Sequence, residues 1–76
     1  MIDLAAIRRA AGLTQIQLAA KLGVGQAQVS KIERESDMLL GTLAAYLTAL
    51  GVEAQMVVEV AGETMTHDLT ARRKAR

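Results

Sequence analysis

A chain of 76 residues with no proline, no cysteine and a single histidine describes one small domain. That inventory excludes a disulfide framework, leaves a metal centre without a ligand set, and holds no apolar run long enough to span a membrane. A domain of this size buries only about 60% of its unfolded surface, so a second subunit is the expected way to complete the core.

Apolar residues make up 51% of the sequence, yet Tyr46 is the only aromatic, so core volume must come from Leu, Val, Ile, Ala and Met. Met1-Ile2-Asp3-Leu4 has neither the basic segment nor the long apolar core of a signal peptide, and the cytoplasm is the expected location. The net charge of +1 conceals a segregation. Residues 1–34 carry Arg8, Arg9, Lys21, Lys31 and Arg34 against Asp3 and Glu33, a net of +3. Residues 35–68 carry Glu35, Asp37, Glu53, Glu59, Glu63 and Asp68 without a Lys or Arg, a net of −6. The remaining residues add Arg72, Arg73, Lys74 and Arg76. A basic first half is where a polyanion would approach, although composition alone reads equally well as solvated surface charge.

The first helix is expected over residues 4–11, with Asp3 as N-cap and Leu4, Ile7 and Ala11 along one face. A second begins after Thr14, where Thr14 and Gln17 form a capping-box pattern, and its apolar face is Leu18, Ala19 and Leu22. Residues 26–34 form a third, with Gly25 at the N-cap and Val29 and Ile32 inward. A fourth, residues 42–50, follows Gly41 as N-cap and buries Leu43, Leu47 and Leu50 with Tyr46 beside them. Gly12, Gly23 and Gly51 stand where helix C-termini require a left-handed residue.

Beyond Gly51 the apolar period shortens to 2: Ala54, Met56, Val58 and Val60 alternate with Gln55, Val57 and Glu59, as in a strand with one apolar face. Residues 64–68 read as a weaker return strand after an Ala61-Gly62 turn. A lone hairpin is marginal in water, so its apolar face needs a cover, either a second subunit or the helices of its own protomer. Residues 70–76 form a basic tail without a core-forming pattern.

The informative stretch runs from Gln15 to Ile32. Two helices crossing steeply through a three-residue turn need a small residue where they touch (Ala19), a left-handed glycine at the turn (Gly23), and apolar residues at Leu18, Leu22, Val24, Val29 and Ile32. All these demands are met together. The sequence here resembles the Cro/phage-repressor class of helix-turn-helix proteins, of the xenobiotic-response-element type, through Ile7-Arg8, Gly12-Leu13-Thr14-Gln15, Leu18-Ala19, Leu22-Gly23-Val24, Gln26, Val29-Ser30-Lys31-Ile32-Glu33 and Ala49-Leu50-Gly51. It departs at Gly25, where a Ser or Thr cap is usual, and at Arg34-Glu35, where a glycine-containing turn is common. The stretch from Glu35 to Leu43, followed by a β segment, looks like antitoxins of the HigA and HipB type.

The resemblance implies a mainly α, lambda-repressor-like domain of four to five helices with a short C-terminal strand or hairpin used in dimerisation. Residues 1–51 would be the DNA-binding domain and 52–69 the dimerising extension. Gln15 would bond a phosphate and brace Gln26; Gln26, Ala27 and Lys31 would read base edges, with Gln28 and Ser30 at the flanks and Arg34 near the backbone. Glutamine suits adenine, lysine suits guanine and an alanine methyl suits thymine. Arg8 and Glu33 match an ion-pair position. Ala54, Met56, Val58 and Val60, with Tyr46 and Leu50 of the fourth helix, are the expected dimer contact.

The implied function is a homodimeric repressor on a double-stranded operator, acting as a type II antitoxin with a cognate toxin; the alternative is a stand-alone phage or plasmid switch repressor. An interaction module that has lost DNA binding is disfavoured by Gln26, Gln28 and Lys31, which face outward with no acidic residue before Glu33. No enzyme, metal or other cofactor is expected, because Ser30 and His67 lack a recognisable third partner and no glycine-rich phosphate loop exists.

Overall fold

Side-chain chemistry sets where the first two helices begin. Asp3 Oδ1 accepts from the Ala6 amide at 3.0 Å, opening α1, Leu4–Ala10. Thr14 Oγ1 accepts from the Gln17 amide at 3.1 Å while Gln17 Oε1 accepts from the Thr14 amide at 2.9 Å, a reciprocal box that opens α2, Gln15–Leu22. These elements belong to a computed structural model that describes residues 2–70. The helix α3, Gln26–Arg34, and α4, Leu40–Leu50, follow, and the chain ends in an antiparallel hairpin of β1, Gln55–Val60, and β2, Glu63–Asp68.

The turn between α2 and α3 is three residues long. Gly23 takes φ 75°, which brings the Val24 amide to 3.0 Å from the Ala19 carbonyl and closes the end of α2. Gly25 precedes α3 in extended conformation and gives it no side-chain cap. Two expectations need correction nearby. Val24 is 42% exposed rather than a core contact, and Ala11 lies exposed beyond α1 rather than along its buried face.

Helix α4 starts two residues earlier than expected, with Leu39 at the N-cap and Gly41 inside the first turn. A glycine there costs about 1 kcal/mol against alanine, which tertiary packing of Leu43, Leu47 and Leu50 readily overrides.

The core joins Leu4, Leu18, Ala19, Val29, Ile32, Tyr46, Leu47 and Leu50, with Ile7, Leu13, Leu22, Met38, Leu43, Val52, Ala54 and Leu69 packed around it. Tyr46 is fully buried, Leu50 is 8% exposed and Ala54 packs against the same cluster. All three were expected at a dimer contact; Tyr46 is instead enclosed by its own protomer, while Leu50 and the half-buried Ala54 pack on the same core. Thr70, expected in the tail, is also part of the fold: it is buried, and its Oγ1 accepts from the Ala54 amide at 3.2 Å. The basic residues Arg72, Arg73, Lys74 and Arg76 lie outside the described residues.

In the hairpin, Met56 pairs with His67, Val58 with Met65 and Val60 with Glu63. Directly opposed residues share a face, so Met56, Val58, Val60 and Met65 form an apolar stripe on one face, with His67 and Glu63 at its two ends. Gln55, Val57, Glu59, Thr64, Thr66 and Asp68 make the other, where Gln55 Nε2 donates to Asp68 Oδ1 at 3.1 Å. Every residue of both strands is exposed. The radius of gyration, 13.7 Å, exceeds the roughly 11 Å of a compact chain of this length, as a projecting hairpin requires. Among the described residues no helix is long and apolar enough to cross a membrane, and no cluster of His, Cys, Asp or Glu could hold a metal.

Candidate nucleic-acid interface

Helix α3 buries Val29 and Ile32 and leaves Gln26, Ala27, Gln28, Lys31 and Arg34 exposed. Its single carboxylate, Glu33, lies one position past the buried Ile32 and is turned inward with a side chain only 6% exposed. The outward face of the helix is thereby left neutral and cationic, as an element that approaches phosphates must be.

Glu33 is the centre of a closed hydrogen-bond network. Arg8 Nε donates to Glu33 Oε2 at 2.7 Å and Arg8 Nη2 to Glu33 Oε1 at 3.4 Å, while Arg8 Nη1 reaches the Leu13 carbonyl at 2.9 Å. The Tyr46 hydroxyl, rooted in α4, donates to Glu33 Oε2 at 2.5 Å and lies 3.2 Å from the Leu4 carbonyl oxygen. Gln15 Nε2 donates to Glu33 Oε1 at 2.9 Å. Each carboxylate oxygen accepts twice, which uses its acceptor capacity. Among the described residues no buried side-chain polar atom lacks a partner.

Electrostatics follow from this geometry. Burial pushes the Glu33 carboxyl up, but hydrogen bonds from Arg8, Tyr46 and Gln15 outweigh it and hold its pKa below the ordinary carboxylate value. The bond to Glu33 raises Arg8 further above its already high value. Burial, then the bond to Glu33, raises the Tyr46 hydroxyl well above the usual phenol range.

The network extends to the start of α3. Gln26 Nε2 donates to Gln15 Oε1 at 3.2 Å, joining the two glutamines across the α2–α3 turn. Both line an open concavity with Arg8, Arg9, Gly12, Leu13, Thr14 and Ile16, at the side where α1, α2 and α3 meet. Farther along α3, Arg34 Nη1 donates to Ser30 Oγ at 2.6 Å, so these residues form one polar unit a helical turn apart. Gln28 stands on the opposite flank from Gln15, in a groove with Leu22, Val24, Ile32 and Tyr46.

The structure therefore brings Gln15, Gln26, Arg8 and Glu33 together and leaves Ala27 and Lys31 free on the same helix to meet a ligand. Met56, Val58 and Val60 lie elsewhere, on the hairpin. Two participants escaped the sequence reading. Tyr46 carries the solitary aromatic hydroxyl, whose need for a buried partner was the available signal. Arg9 lies beside Arg8 at the concavity, with no signal beyond its charge.

Comparisons with known proteins agree with this geometry. A profile of helix-turn-helix proteins matches residues 4–56. The putative antitoxin HigA3 of Mycobacterium tuberculosis is 46% identical over 71 residues, covering 90% of this chain and 63% of the relative. The putative antitoxin HigA2 of the same organism is 39% identical over 62 residues, covering 79% of this chain and 61% of the relative. The chain thus spans less than two thirds of the length of these relatives. Two solved structures superpose on it at 42% identity. One, described as DNA-bound antitoxin HigA3, gives a TM-score of 0.77 and covers 99% of this chain and 97% of its own. The other, described by induced DNA bending through unique dimerization of a HigA antitoxin, gives 0.76 over 88% and 93%. With the turn, the caps and the buried ion pair already in place, the matched profile shows that the chain belongs to the helix-turn-helix family and resembles the HigA antitoxins within it.

Proposed function

We propose that this chain is a sequence-specific DNA-binding repressor, the antitoxin of a type II toxin–antitoxin operon, acting in the cytoplasm as a homodimer on its own promoter. The observation that carries the reading is the outward face of α3, where Gln26, Ala27, Gln28 and Lys31 are exposed while the helix's only carboxylate is locked inside. Gln26 and Lys31 read base edges, the Ala27 methyl meets thymine, and Gln15 bonds a phosphate with its remaining amide hydrogen. Ser30 and Arg34 lie against the backbone at the far end of the helix, and Gln28 flanks it.

One such head reads only a few base pairs, so two must be held at half-site spacing, about 34 Å apart. The hairpin supplies the link in this proposal. Its face of Met56, Val58 and Val60 is exposed, lies in the acidic part of the chain and would meet its symmetry mate across a two-fold axis. Residues 1–51 then act as the reading head and 52–69 as the dimerising extension. The likeness to HigA antitoxins supports a toxin as the protein partner and a regulator rather than an enzyme.

The test is a footprint on the DNA upstream of the chain's own gene, repeated with the product of the neighbouring gene. Two protected half-sites one helical turn apart, and a stable complex with that product, are the expected outcome. Absence of a protected site removes the repressor reading; a protected site without a protein complex removes only the antitoxin assignment.

A further inference from the structure

We propose that Glu33 fixes the hydrogen-bonding polarity of Gln26, so that the reading helix arrives at DNA already committed to an adenine edge. The proposal rests on the DNA-reading function above and assigns to Glu33 a task beyond its ion pair with Arg8.

The argument is one of donors and acceptors. A carboxylate held ionised by Arg8 and Tyr46 offers only acceptors. Gln15 must therefore turn its Nε2 toward Glu33, which it does at 2.9 Å, and its Oε1 is left facing Gln26. Gln26 must answer that oxygen with an N–H, at 3.2 Å. What Gln26 has left to present is its carbonyl oxygen and its second amide hydrogen. Adenine offers the matching pair in the major groove, a donor at N6 and an acceptor at N7. Guanine offers acceptors at both O6 and N7, so its O6 would face the Gln26 oxygen without a hydrogen between them.

The two ends of a glutamine amide have nearly the same size, so packing alone would not choose between them. Glu33 chooses, from inside the domain and without touching DNA, which makes it a positioning residue. Because the chain Tyr46–Glu33–Gln15–Gln26 exists in the unbound protein, the ordering of Gln26 is complete before the encounter.

The experiment uses the full chain and a pool of randomised duplexes, with base preference read at every position of the selected site. Gln26→Ala first identifies the base pair that Gln26 reads. Glu33→Gln replaces the pure acceptor by a group that also donates, and Gln15→Leu removes the relay while leaving Arg8, Glu33 and Tyr46 together. Both should lower the preference for adenine over guanine at that pair by about tenfold and leave preferences elsewhere unchanged. Gln15→Leu keeps the ion pair, so its result stands even if Glu33→Gln fails to fold. A native preference for a base other than adenine at that pair, an unchanged ratio in Gln15→Leu, or an equal loss of affinity on every sequence overturns the proposal. A native chain with no sequence preference overturns the DNA-reading function itself, so the native titration tells the two failures apart.

Discussion

The helical head and the hairpin solve opposite problems. The head holds eight buried core side chains and a carboxylate whose acceptors are all used, and no buried side-chain polar atom lacks a partner among the described residues. In the hairpin, all twelve strand residues are exposed, and Met56, Val58, Val60 and Met65 share one face. A two-stranded ribbon exposed on both sides gains little from burial and is marginal by itself. The head encloses its own buried core; the hairpin has the composition of an element completed by association.

If the head's stability is centred on Glu33, that side chain is the place to break it. Glu33→Ala strands Arg8 without its carboxylate and should cost about 3–5 kcal/mol in chemical denaturation, enough to threaten a domain of this size. Replacing both partners by apolar residues should cost less than the single change; a double-mutant cycle showing simple additivity would reject the coupling.

The hairpin should fail in a different way. Val58→Lys places a charge in the apolar face and is expected to yield a monomer that stays folded while operator affinity falls about a hundredfold, for want of the second half-site. Sedimentation and titration together decide this: a dimer with intact affinity would move the interface elsewhere.

Substitutions on the exposed face of α3, the proposed reading face, should spare both regions. Lys31→Ala is expected to leave the melting curve unchanged and to lose about 1–3 kcal/mol of discrimination at one base pair. A uniform loss on all duplexes would assign Lys31 to phosphate instead.

A milder assault on the head comes from pH. The folded Glu33 carboxyl lies below its ordinary value near 4.5, so its contribution is present above that pH and is lost as pH falls through the folded pKa. Tyr46 is raised above its ordinary value of 10.0, so its contribution is present below that pH and is lost as pH climbs past it. Thermal melts should show a plateau between these limits, and Glu33→Gln should remove the acid-side decline attributable to this group.

The smallest effect is expected at the hairpin turn, where Ala61 and Gly62 both take positive φ, 50° and 83°. An alanine is strained there and a glycine is not, so Ala61→Gly should stabilise the hairpin by about 0.5–1 kcal/mol, visible as slower amide exchange in β1 and β2. Unchanged exchange would show that the turn does not limit hairpin stability.

What the sequence revealed was what local chemistry dictates. The Thr14–Gln17 box, the left-handed Gly23 and the spacing of Val29 and Ile32 name their structures within a few residues, and α3 spans the expected positions. Gly41 misled because a glycine before an apolar run reads as a cap, whereas packing of α4 carried the helix across it. Periodicity marks Tyr46 as part of a buried face without naming what covers it, and the cover is its own protomer rather than a second subunit. The bond from its hydroxyl to Glu33 spans 13 residues and depends on how α3 and α4 cross, which no local pattern encodes.

That position of Tyr46 has a practical result for spectroscopy. The chain contains no Trp and no Phe, so its entire near-ultraviolet circular dichroism and intrinsic fluorescence arise from one phenol ring, fixed at the centre of the head. Near-ultraviolet signals will therefore follow loss of the head's packing and be blind to fraying of the ribbon, whereas far-ultraviolet signals sum the two. Divergence between the transitions recorded in the two wavelength ranges would separate the regions without any label.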